Sequence, residues 1–125
     1  MVKSLITMLC VALVLVGCGI FEDFYVHKEF KDFGSVLNVL YQKVDEEVAV
    51  MDDVYAVQDN WLNKKKNLHA FIPHTEIKEI DLWLSEAVTL VRDKEWADAI
   101  SKIEVLIELT EQIPKTFEIS FQNIL

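Results

Sequence analysis

Two histidines, His69 and His74, stand five residues apart with Pro73 between them, and Glu76 follows two residues later. Two imidazoles and a carboxylate form a usable donor set for a transition metal. The spacing across a proline matches no established ligand pattern, so no metal is expected. In the plainer reading, His74 helps to open a helix and His69 is half exposed. Carboxylates are plentiful: Glu76, Glu79 and Glu86 in one segment, Glu104, Glu108 and Glu111 in another. A di-iron bundle would combine inward glutamates with Glu-x-x-His pairs, and no Glu-x-x-His occurs. These acids read as solvated faces. Nucleophilic catalysis finds no Gly-x-Ser-x-Gly, and Ser4, Ser35, Ser85, Ser101 and Ser120 stand in no distinctive setting. The expectation is a protein that is not an enzyme and needs no cofactor.

The chemistry that the sequence does support is at Cys18. Residues 4–21 carry no charge, Lys3 is the only charge before them, and Leu5 to Val16 is almost wholly apolar. A basic start, a short apolar core and then small residues make the layout of a secretory signal. Leu15-Val16-Gly17-Cys18 resembles the lipobox of bacterial lipoprotein signal peptides. A thiol there can carry a thioether-linked lipid, and small neighbours give a peptidase access. Two or more acyl chains then anchor stably, which one does not. The alternative is an uncleaved membrane helix, since eighteen uncharged residues lie near the low end of what spans a bilayer. Either way Lys3 stays inside and the remainder faces outward. The expected division is 1–17 as signal or anchor and 18–125 as a helical extracytoplasmic domain at the cell membrane. The other cysteine, Cys10, lies in the same segment, so the domain holds no internal disulfide.

Composition narrows the rest. A chain of 125 residues makes one domain. Twelve basic residues face 21 acidic ones, for a net charge of -9, and loss of Lys3 takes it to -10. Nucleic acid is therefore not an expected partner, because phosphate contacts need clustered Lys and Arg. With 52% hydrophobic residues the chain is not disordered, and 3 Gly and 2 Pro are too few for a turn-rich β fold.

The elements follow from periodicity. Val26, Phe30, Phe33, Leu37, Leu40 and Val44 recur at helical spacing, which predicts a first helix over 22–50. Asp52 and Asp53 offer an N-cap to a second, whose stripe is Val54, Val57, Trp61, Leu68 and Ile72, with Lys64, Lys65 and Lys66 facing water. Pro73 ends it, and Thr75 caps a third helix with Ile77, Ile80, Leu84, Ala87, Val88 and Val91 inward. Asp93 breaks the chain again, and Trp96, Ile100, Ile103, Ile107 and Ile113 form the fourth stripe. Pro114 stops or kinks that helix; the tail from Lys115 reads as an extended link and a short terminal turn. Asp52 to Ala56 resembles Asp93 to Ala97 as the start of a hairpin's second helix. The fold expected is all-α: a four-helix bundle of two antiparallel hairpins behind an N-terminal apolar signal or anchor.

From Trp61 onward the chain resembles the family called domain of unknown function 4363. The residues that carry this are Trp61, Lys64-Lys65, Leu68, Phe71-Ile72-Pro73-His74-Thr75-Glu76-Ile77, Asp93 with Ala97, and Asn123-Ile124-Leu125. The resemblance implies a small, mostly Gram-positive bacterial protein with a hydrophobic N-terminal anchor and a helical body. It implies no activity.

Trp83 and Leu90, seven residues apart on one flank of the third helix, are the candidate partner-binding residues, since a half-exposed tryptophan can anchor an interface; rim packing is the plainer alternative. The expected role is a non-catalytic interaction or scaffolding module of the cell envelope, with an envelope protein as partner. The alternative is a lipoprotein that binds a small ligand in a pocket between helices.

Overall fold

The computed structural model describes the backbone of residues 1–124 and the side chains of residues 1–116. Among the described residues there are four helices and no strand: α1 (Val2–Asp45), α2 (Met51–Leu68), α3 (His74–Arg92) and α4 (Trp96–Ile124). Each helix packs on the next through a connection of five residues or fewer, and α4 closes back along α1. Short links between packed neighbours make the order up-down-up-down. The core is one cluster, with Phe30, Phe33, Leu37, Trp61, Leu68, Ile77, Ile80, Ile103 and Leu106 fully buried.

The apolar segment and the first body helix are one element. α1 runs unbroken from Val2 through the expected boundary at residue 22 and ends at Asp45 rather than at residue 50. No proline interrupts it, and Gly17 and Gly19 cost only about 1 kcal/mol each in a run of good helix formers. Residues 2–18 are exposed and Gly19 is the first buried position.

Two of the turns, 46–50 and 93–95, are closed by the backbone. At the end of α1, Glu47 adopts a left-handed φ of 59°, and the N–H groups of Glu47 and Val48 donate to the carbonyls of Val44 and Lys43. At the end of α3, Lys94 has φ 57°, and Lys94 and Glu95 donate to Val91 and Leu90. This is the Schellman arrangement, usually built on glycine. It shows why Asp52–Ala56 and Asp93–Ala97 are not equivalent. Asp53 lies inside α2, where its carboxylate accepts the Val50 N–H at 2.9 Å, whereas Asp93 is the C-cap of α3. Lys43, at 2.6 Å, and the Val50 N–H hold the Asp53 carboxyl below its ordinary range. The N-cap of α3 is Pro73, and neither Thr75 nor His74 caps it through its side chain.

The buried face of α4 is Ala99, Ile103, Leu106, Thr110 and Ile113; Trp96, Ile100 and Ile107 flank it half buried. Ile103 and Ile113 of the expected stripe thus lie on the buried face, while its other three residues sit to one side of it. Beyond it, the extended tail is replaced by helix: α4 continues through Pro114 to Ile124. A mid-helix proline removes one hydrogen bond and costs about 3 kcal/mol. Here Pro114 is buried in the seam with α1, and packing there offsets the loss. α1 and α4 come close at Gly34, where an added Cβ would stand 3.2 Å from Thr110 Oγ1. That hydroxyl donates to the Ile107 carbonyl at 2.6 Å.

Candidate functional site

Cys18 is exposed on α1, one residue before burial begins. It lines a shallow hollow with Val14, Gly17, Phe21, Glu22 and Phe71. Phe71 comes from the turn between α2 and α3, so that turn lies beside the end of the uncharged segment. Its ring stands 5.6 Å from that of Tyr25, which stacks at 6.3 Å on Phe21. The turn is tight because Phe71 and Ile72 both donate to the Leu68 carbonyl, and Ile72 is buried. By length and composition α1 is apolar enough to cross a membrane, and only 6% of its most apolar stretch is buried.

His69 and His74 do meet across Pro73, with ring centroids 5.7 Å apart and nearly parallel. Both are exposed. Among the described residues no three of His, Cys, Asp or Glu gather where they would hold a metal.

Trp83 and Leu90 lie half buried on the flank of α3 that faces α4. The Trp83 indole donates to Glu79 at 3.0 Å, and Lys102 of α4 sits over its ring at 4.7 Å while pairing with Glu86 at 3.3 Å. Leu90 borders a shallow depression with Ser85, Glu86, Thr89 and Lys102. One face of the Trp83 ring is therefore covered by a cation.

An open groove of about 530 Å³ lies between α1 and α4, bordered by His27, Lys31, Ser35 and Asn38 on one side and Ile107 and Glu111 on the other, with Gly34 and Thr110 at its floor. In a neighbouring hollow that shares Asn38, Ile107 and Glu111, Tyr41 donates to Glu104 at 3.1 Å, which raises the phenol's pKa.

The lysines expected in water mostly are not. Lys64, only 11% exposed, pairs with Glu29 of α1 at 3.2 Å and lies 3.7 Å from Asp32. Lys65 donates to Asp81 of α3 at 2.7 Å, and Asp81 also accepts the buried Trp61 indole N–H at 2.8 Å. Only Lys66 is exposed. The signal was present: Lys64 and Lys65 stand three and four residues after Trp61, which puts them above the same face.

A family model described as "Domain of unknown function (DUF4363)" matches residues 21–124, beginning where the uncharged segment ends. No curated protein and no solved structure matches the chain.

Proposed function

We propose that this chain, which belongs to the family of the domain of unknown function DUF4363, is a membrane-tethered helical protein of the bacterial cell envelope. Its body is a non-catalytic module for protein interaction or scaffolding. The tether is Cys18 carrying lipid, with an uncleaved α1 as the alternative. One observation carries this reading. The first seventeen residues of α1 project from the bundle, exposed and apolar, and stop at an accessible cysteine in Leu15-Val16-Gly17-Cys18. Leaving so much apolar surface in water is costly, at about 25 cal/mol per Å², so this stretch belongs in lipid or is removed. Lys3 ahead of the apolar stretch supports an orientation with residues 22–125 on the outer side.

An interaction module is preferred over a ligand carrier because the hollow between α1 and α4 is an open groove and the core is filled by side chains. Trp83 and Leu90 are the proposed partner contacts, with Lys102 moving off the indole as a partner arrives. Growth of cells with a labelled fatty acid tests the anchor. The wild type should take up label and Cys18→Ala should lose it; equal labelling of both would reject the lipoprotein form.

A further inference from the structure

The turn between α2 and α3 brings the body of the protein up to the anchor. Phe71 lines a hollow with Val14, Gly17, Cys18 and Phe21 of the uncharged segment and with Glu22 just past its end. Around it the chain presents aromatic rings and small exposed groups. Phe21 and Phe24 are 64% and 67% exposed although they lie at the edge of the folded body. Lys66, His69, Ala70, Pro73 and His74 are exposed on the turn itself. Charge on α1 resumes at Glu22 and Asp23, and Asp23 faces His27 at 3.3 Å. Apolar helix, then aromatic and imidazole rings with one lysine, then carboxylates is the order of environments met on leaving a bilayer. Amphipathic rings concentrate at the headgroup level.

We propose that this end of the bundle is a second membrane contact: the turn at 69–73, with Phe21 and Phe24, seats in the headgroup layer of the bilayer that holds the chain's own N-terminal helix. The occupant follows from continuity, because a helix that enters lipid at residue 21 brings Phe71 to the same depth. Lys66 lies toward the phosphates of anionic lipids. The inference rests on the tethered reading in its uncleaved form, with α1 kept whole, and the test separates the two.

The full chain is placed in vesicles of phosphatidylcholine and phosphatidylglycerol, roughly three to one, with a phospholipid bearing a photoactivatable group near its glycerol. After illumination, labelled peptides are mapped. Label is expected in residues 1–21 and in 66–74, the latter about five-fold above residues 46–50 at the opposite end. Label in 1–21 with 66–74 no higher than 46–50 overturns the second contact and leaves the tether standing. Absence of label from 1–21 overturns both. The exposed double variant Lys66→Glu/Ala70→Asp, checked for unchanged helicity, should lower labelling of 66–74 by about five-fold and leave 1–21 unaltered. Undiminished labelling of 66–74 in that variant also overturns the proposal.

Discussion

Asp81 holds two donors from α2 at once, the buried indole of Trp61 and the ammonium of Lys65. Its loss would leave an N–H inside the core with no acceptor, which costs about 1–3 kcal/mol. Asp81→Ala should lower the unfolding midpoint accordingly, and Asp81→Asn, which keeps one acceptor, should recover part of it. Equal melting of Asp81→Ala and the wild type would show that the indole finds another partner. At this scale the sequence was only partly legible. Apolar core positions such as Phe33, Trp61 and Ile80 follow from spacing alone. The pairing of Lys64 with Glu29 does not, because it depends on which faces of α1 and α2 oppose each other. A charged residue beside a core tryptophan has the same local pattern whether it meets water or a carboxylate.

The helices themselves were read well where stripes are regular, across Gly34 included, and poorly beyond Pro114, where an extended tail was expected. Pro114 and Gly34 both disfavour helix locally, and both lie within one, in the seam where α4 runs along α1. Tertiary contact overrides propensity there. Gly34 is also a place where the two helices come close. Gly34→Ala gains about 1 kcal/mol of helix propensity but crowds Thr110 Oγ1, which a short hydrogen bond holds in place. In the wild-type background the change should be near neutral. In a Thr110→Ala background it should stabilise by about 1 kcal/mol. A thermal-unfolding double-mutant cycle gives the coupling, and the same effect in both backgrounds would refute the crowding. The turns belong to this scale as well. Their closure on Glu47 and Lys94 was not visible in the sequence, because neither residue favours a left-handed backbone.

The whole molecule has a direction. Its two short connections at 46–50 and 93–95 lie at one end, and the turn at 69–73 lies at the other, beside Cys18. Residues 22–45 of α1 span about 36 Å at 1.5 Å per residue. On the proposed tether, Glu95 should therefore stand about 35–40 Å above the lipid. Energy transfer to acceptors in the bilayer, from a dye on an azide-bearing amino acid that replaces Glu95 while Cys18 is kept, measures that height. A value near the membrane surface would mean that the bundle lies flat. The fold class was legible because four apolar stripes separated by breaks admit few arrangements; the orientation was not, since it needs Phe71 and the N-terminal segment to be seen side by side. The unbroken course of α1 has a mechanical consequence. No hinge separates the part that would sit in lipid from the part that carries the bundle, so the two share one axis. A change in tilt of about 20°, within the range seen for membrane helices, would sweep the far end sideways by roughly 12 Å over that lever. Bilayer thickness would then set the reach of Trp83 and Leu90 along the envelope, with no joint to absorb it.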